Sequence, residues 1–249
     1  FRSGGFTIFA IIAIPAFVSF VLGYVILKRR VKGAYLAILT QALAVAFSTL
    51  LIATIKQTGG FNGLNTFTTF FGHNLYNPTV KKNVYLITAG LVILFLVILW
   101  QLYRSRYGEL LVATRDAEER IRFLGYDPAN IKLVAFVLAA VMASVGGAMF
   151  VPIAGIISPT NVDAAASILL IAGVALGGRS SLFGPVLGAI AVGYGRSTLS
   201  ERYPTRWVYF QGALFILVVL FLPNGVASLG SMFRSLRARL LTRSTSTAP

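Results

Sequence analysis

Cysteine is absent from the 249 residues, and histidine occurs once, as His73. The chain therefore has no disulfide framework, no thiol nucleophile and no thiolate metal site, and one histidine does not make a metal centre by itself. Acidic residues are scarce as well, seven against 22 lysines and arginines. Charged residues make up 12%, about half the roughly 25% of an ordinary soluble domain. No Gly-Lys dipeptide occurs, so the chain lacks a Walker A phosphate loop and cannot cradle ATP in that way.

What fills the chain instead is apolar. Hydrophobic residues are 57% of it, and the mean hydropathy is +0.80. Runs without a single charge occupy about 6–27, 34–55, 84–103 and 133–154. At 1.5 Å per residue, each spans a hydrocarbon core of roughly 30 Å. In lipid such runs are helical, because only internal pairing satisfies the backbone. Pro15 and Pro152 fall inside two of them, where a kink is expected. Two shorter segments follow, 164–178 and 185–199, either as two tight spans or as a re-entrant hairpin. A last span is expected from Trp207 to Leu222, stopped by Pro223-Asn224-Gly225. The fold class is thus all-α, a polytopic bundle of about six or seven membrane helices. The chain opens on Phe1 with no basic stretch before the first run, so an upstream segment is expected, and no cleavable signal peptide is recognisable.

A net charge of +15 would suggest nucleic acid in a soluble protein. Here the basic residues lie between apolar runs and read as topology, so no nucleic-acid partner is expected. Residues 28–32, 104–132 and the tail hold four, six and four of the 22 lysines and arginines, which makes these regions cytoplasmic. In the tail, Met232, Phe233, Leu236 and Leu240 alternate with Arg234, Arg237, Arg239 and Arg243, a basic amphipathic stretch suited to anionic lipid. The expected organisation is a transmembrane domain over 1–230, with a cytoplasmic segment at 104–131, and a basic cytoplasmic tail over 231–249.

The cytoplasmic segment is the most informative. From Glu109 to Leu124 the pattern predicts one helix with Leu110, Ala117, Ile121 and Leu124 along a face. Three i,i+4 charge pairs are expected, Arg115–Glu119, Asp116–Arg120 and Glu118–Arg122, each contributing a few tenths of a kcal/mol. Gly125 reads as the stop, and Asp127-Pro128 as the cap and first turn of the next span. Such a helix is either a solvated loop or a lever against which a cytosolic partner pushes.

The run Arg115-Asp116-Ala117-Glu118-Glu119-Arg120-Ile121-Arg122-Phe123-Leu124-Gly125-Tyr126 resembles the coupling segment of ABC-importer permeases of the branched-chain amino acid and urea type. Further resemblance lies in Val151-Pro152-Ile153-Ala154-Gly155, in Val174-Ala175-Leu176-Gly177-Gly178-Arg179 with Gly184 and Gly188, and in Leu220-Phe221-Leu222-Pro223-Asn224-Gly225. Upstream, Arg30-Val31-Lys32-Gly33-Ala34-Tyr35 and Gly59-Gly60-Phe61-Asn62-Gly63-Leu64 are similar to the family's second region. The resemblance covers about 20–230 in order. Thr40-Gln41-Ala42-Leu43 together with Arg122-Phe123-Leu124-Gly125-Tyr126 resembles the urea branch more than the amino-acid branch. The family's opening helices, with a Gly-Tyr-Ala-Gly-Gln-type motif, are absent from this sequence.

The resemblance implies a multi-pass permease subunit of the bacterial inner membrane, itself not an enzyme and without a cofactor or metal. Its implied partners are a second permease subunit, two cytosolic ATP-binding subunits, an extracytoplasmic solute-binding protein and membrane lipid. The implied ATPase-coupling residues are Arg115, Asp116, Ala117, Glu118, Glu119, Ile121, Leu124 and Gly125. Thr40, Gln41, Gly177 and Gly178 are pathway candidates, although Gln41 equally suits an interhelical hydrogen bond and the glycines equally suit close packing. The expected solute is urea, with branched-chain amino acids as the alternative; a secondary carrier, a channel or a scaffold would be a different class. The loop 56–82 with His73 is either a docking face for the binding protein or a connector.

Overall fold

The structure is a computed structural model that describes residues 4–29, 34–65, 67, 69–70, 73–75, 77–162, 164–178 and 181–203, with 206, 209–210, 212–213, 216 and 220 beyond them. Arg30, Lys32, Arg179, most of the expected span 207–222 and the tail 231–249 lie outside the described residues. The chain divides into two compact units, residues 1–163 and 164–249.

In the first unit, the four apolar runs form helices α1 (Gly4–Lys28), α2 (Ala34–Ala53), α4 (Pro78–Arg104) and α7 (Pro128–Ala154), all long and apolar enough to cross a membrane. Short elements join them: α3 (Ile55–Thr58), α5 (Arg106–Asp116) and α6 (Glu118–Phe123). Strands β1 (Thr69–Phe70) and β2 (His73–Asn74) form a two-residue antiparallel ladder within the 56–82 loop. Both α1 and α7 run on through their prolines, Pro15 and Pro152. Two long helices start at side-chain caps, α7 at the one the sequence predicts and α4 at one it did not. Asp127 accepts from the Ala129 N–H at 3.0 Å ahead of Pro128, and Asn77 accepts from the Thr79 N–H at 3.1 Å ahead of Pro78.

The main seam of this unit is α1 against α7, antiparallel. The Ser144 hydroxyl donates to the Ile11 carbonyl at 2.7 Å at one end, and Lys28 meets Asp127 at 2.6 Å at the other. Midway lies Gly23, where a Cβ would sit 2.7 Å from Leu133 Cδ1 and 2.9 Å from Phe136 Cδ1. A small residue is what lets these two helices close, the usual device where lipid removes the hydrophobic drive between helices. Large apolar side chains such as Phe6, Phe9, Phe17, Tyr35, Ile38 and Ile93 are exposed, which is the surface a bundle presents to hydrocarbon.

At the far end of the unit, Leu64 and Ile157 pair through both backbone bonds, 2.8 and 3.0 Å, tying the chain after α2 to the end of α7. Gly59, Gly60 and Gly63 all have positive φ, 72°, 62° and 70°, and a Cβ on Gly63 would collide with the Ile157 carbonyl. The Gly59–Gly63 run is therefore set by backbone geometry.

The second unit contains a helical hairpin, α8 (Ala164–Gly177) and α9 (Gly184–Arg202). With 14 residues α8 reaches about 21 Å, less than a hydrocarbon core, while the 19 residues of α9 reach about 28 Å. The two G-x-x-x-G pairs meet across this hairpin: Gly177 faces Gly184, and Gly173 faces Gly188 and Ala189. A Cβ on Gly177, Gly184 or Gly188 would strike the opposing backbone. Small residues at these four positions let the two helix backbones approach closely. The turn uses Gly178 at φ 100°, and Ser181 Oγ accepts from the Gly184 N–H at 2.9 Å.

Candidate functional site

The site is built where α4 ends and α7 begins. Ser105 turns the corner: its hydroxyl donates to the Leu102 carbonyl at 2.6 Å and accepts from the Gly108 N–H at 3.3 Å. At Gly108 a Cβ would lie 2.5 Å from both the Leu102 and Tyr103 carbonyls, so only glycine closes this bend. Before it, the Arg104 guanidinium lies 4.8 Å over the Trp100 ring. Helix α5 then lies against α7, where the Tyr107 hydroxyl donates to the Ile131 carbonyl at 2.6 Å. Burial pushes the Tyr107 phenol pKa up, opposed by the Ala135 N–H, so the hydroxyl stays a donor.

The single helix expected from Glu109 to Leu124 is in fact two. It breaks at Ala117 (φ −149°, ψ 71°), between α5 and α6. The expected stripe breaks with it: Ile121 turns inward and is 5% exposed, while Phe123 and Leu124 turn outward at 89% and 71%. Of the three expected charge pairs, Glu118–Arg122 is present at 3.0 Å. Arg115 instead pairs with its neighbour Asp116 at 2.8 Å, holding that carboxyl below its ordinary pKa, and Glu119 meets Arg122 at 3.5 Å. The physical reason is tertiary. Glu118 uses its other oxygen for Lys132 on α7 at 2.8 Å, and Ile121 is buried beside it. These gains outweigh two exposed i,i+4 pairs of a few tenths of a kcal/mol each.

Gly125 acts as the predicted stop, with φ 87°, and the Tyr126 N–H returns to the Ile121 carbonyl at 3.2 Å. The chain thus re-enters the bundle at Asp127. Its carboxylate caps α7 and also accepts from Lys28 of α1, 99 residues away in sequence. The Lys28 ammonium holds the Asp127 carboxyl below the usual carboxylate range, with the Ala129 N–H and Arg122 adding to the effect and burial opposing it. Lys28, Glu118, Arg122, Asp127 and Lys132 line a cleft of about 450 Å³ beneath Gly125 and Tyr126. The end of α1 therefore meets the start of α7 here, and α5, which follows α4, packs on the same turns of α7.

The expected coupling residues, Arg115, Asp116, Ala117, Glu118, Glu119, Ile121, Leu124 and Gly125, lie together on this elbow, but not on one helical face. Of the pathway candidates, Thr40 donates back to the Leu36 and Ala37 carbonyls of its own helix, both at 3.0 Å. Gln41 is exposed on α2, two turns before Ser48, whose hydroxyl reaches the Pro159 carbonyl at 3.5 Å. Gly177 and Gly178 belong to the other compact unit. Lys28, Tyr107, Gly108 and Lys132 join the site without any local sequence signal. Among the described residues, no group of three or more histidines, cysteines or carboxylates could hold a metal ion.

Apolar helices of membrane length joined by a charged, capped elbow define a membrane protein, and comparison with known proteins identifies its class. Residues 5–219 match the family described as branched-chain amino acid transport system / permease component, and the chain belongs to that family. The chain is 30% identical over 236 residues to the high-affinity branched-chain amino acid transport system permease protein LivM of Salmonella typhimurium, covering 86% of this chain and 55% of LivM. To the protein of the same name from Escherichia coli K12 it is 31% identical over 231 residues, 84% of this chain and 53% of that protein. A shorter likeness, 31% over 137 residues, links it to the autoinducer 2 import system permease protein LsrC of Photorhabdus laumondii, covering 52% of this chain and 41% of LsrC. The chain spans about half the length of the curated relatives it matches. No solved structure gives a significant match. Family membership and four membrane-length apolar helices make this a multi-pass protein of the bacterial inner membrane.

Proposed function

We propose that the chain is the membrane part of an ATP-driven importer and that its elbow, within the segment 104–131, receives the push of a cytosolic ATPase. The observation that carries this is the tip of the elbow. Phe123, Leu124 and Tyr126 are 89%, 71% and 52% exposed at the end of α6 and the turn after it, whose base is held by Glu118, Arg122, Lys132 and Asp127. Large apolar side chains at an aqueous face are costly unless a partner covers them. A rigidly based apolar knob is a suitable handle for a separate motor, and the sequence contains no Walker A loop of its own.

The proposed assembly has a second permease subunit, two ATP-binding subunits, an extracytoplasmic binding protein and the anionic lipid surface met by the basic tail 231–249. Within the permease domain 1–230, the coupling residues are those of the elbow, from Arg115 to Gly125. Thr40, Gln41 and the Gly177-Gly178 turn are proposed to border the pathway. The solute is a small neutral or zwitterionic molecule, because no Asp, Glu, Lys or Arg lies within the runs 6–27, 34–55, 84–103 and 133–154. The LivM relatives, similar over more than four fifths of this chain, move the preference from urea to a branched-chain amino acid. Urea is kept as the second reading on the strength of Thr40-Gln41-Ala42-Leu43 and Arg122-Phe123-Leu124-Gly125-Tyr126.

The test is uptake by the assembled transporter in vesicles, with radiolabelled leucine and urea supplied separately. Leucine accumulation that stops when the ATPase is inactivated is the expected result. Accumulation that continues without ATP hydrolysis would refute the importer and favour a carrier or channel.

A further inference from the structure

The ends of α1 and α7 are joined at the elbow by one ion pair between residues far apart in sequence. Lys28 is the last residue of α1, and Asp127 is the cap of α7 immediately after the Gly125-Tyr126 turn. Their contact is 2.6 Å, with side chains 38% and 44% exposed. The same carboxylate accepts the Ala129 N–H, so it is held from two sides. One turn further along α7, Lys132 binds Glu118 of α6, and Tyr107 of α5 binds the Ile131 carbonyl. The first turns of α7 are therefore gripped by α5 and α6 on one side and by α1 on the other. Along the rest of the seam, Gly23 and the Ser144–Ile11 bond keep α1 and α7 in close contact.

We propose that Lys28 and Asp127 are positioning residues for energy coupling: their ion pair makes α1 follow the elbow, so that α1 and α7 move as one antiparallel unit. This inference rests on the coupling role proposed above. Without the pair, a displacement of α6 would still reach α7 through Glu118–Lys132 and Ile121. It would reach α1 through apolar contacts that can slide past one another and through the Ser144–Ile11 bond at the far end of the seam. The pair contributes direction to the movement, since it fixes the end of α1 to the exit of the elbow. A pair that only staples the fold would change melting temperature and leave the work done per ATP as it was.

The test uses the complete permease in its assembled transporter, reconstituted in vesicles, and reads solute imported per ATP hydrolysed. The variants are Lys28→Met and Asp127→Asn; the second keeps a cap acceptor for the Ala129 N–H. Each is expected to lower the ratio about three- to fivefold, the scale of a half-exposed ion pair. The double variant should be no worse than either single, and Lys28→Arg should stay near the parent. Crosslinking from Ala117 to the ATPase should persist in all of them. These 249 residues hold no cysteine, so Lys28→Cys and Asp127→Cys, in a transporter whose other cysteines are replaced, joined by a short bifunctional reagent, give a second test, and this locked protein should still transport.

An unchanged ratio in Asp127→Asn with docking intact would overturn the inference. So would additive losses in the double variant, or a locked protein that hydrolyses ATP without transport. Failure of Ala117 to crosslink to the ATPase in the parent protein is a different result, because it removes the coupling role itself.

Discussion

Replacing Glu118 by glutamine should loosen α6 without unfolding the bundle, and the size of the effect follows from its surroundings. The Glu118 side chain is 21% exposed, with one oxygen 3.0 Å from Arg122 and the other 2.8 Å from Lys132. An isolated exposed pair contributes at most about 1 kcal/mol, whereas removing one partner of a fully buried pair costs about 3–5 kcal/mol. Glu118 lies between these limits and serves two cations, so about 1–3 kcal/mol of local stability is expected to be lost. That corresponds to about a 5- to 150-fold rise in the local opening constant. Amide hydrogen exchange of residues 118–124 in a lipid nanodisc reads this directly, because α6 opens as a small unit. The control is Glu119→Gln. Glu119 is 70% exposed and its contact with Arg122 is 3.5 Å, so exchange should change by less than about threefold. Equal exchange in the two variants would refute the clamp, and with it the explanation for the break at Ala117.

The same geometry sets two further expectations. Because the Asp127 carboxyl titrates below its ordinary value, the Lys28–Asp127 link is fully present above about pH 3.9 and is lost as pH falls through the lowered value. Exchange of the Ala129, Asn130 and Ile131 amides, corrected for intrinsic rates, should accelerate only in that acid window, and Asp127→Asn should abolish the transition. In the second unit, Gly188→Ala would drive a Cβ into the Gly173 carbonyl, with the Gly177 nitrogen 2.6 Å away, costing on the order of 1–3 kcal/mol. Gly193→Ala, with nothing within 4 Å, should be neutral or slightly stabilising in the same thermal melt, and a Gly188→Ala melt equal to it would count against the glycine seam.

The sequence by itself determined the parts that depend on a residue's own neighbours in the chain. Uncharged runs of 20–22 residues become helices in lipid whatever surrounds them, and all four appear where expected, α4 and α7 beginning earlier at their capped starts and α2 ending at Ala53. Asp127-Pro128 and Gly125 punctuate the elbow through local geometry, and the structure keeps both. The family is legible for the same reason, since its motifs are short and ordered along the chain.

Tertiary structure alone decided the rest. Periodicity could not show the break at Ala117, because what opposes a continuous helix is Lys132, fourteen residues beyond Glu118, together with the burial of Ile121. Nor could it mark Lys28, whose partner is 99 residues away, or show that Gly177, Gly184 and Gly188 meet backbone to backbone before α8 and α9 were brought face to face. Local energies of a few tenths of a kcal/mol per pair yield to a charge taken partly out of water, which accepts only the partners that the fold supplies.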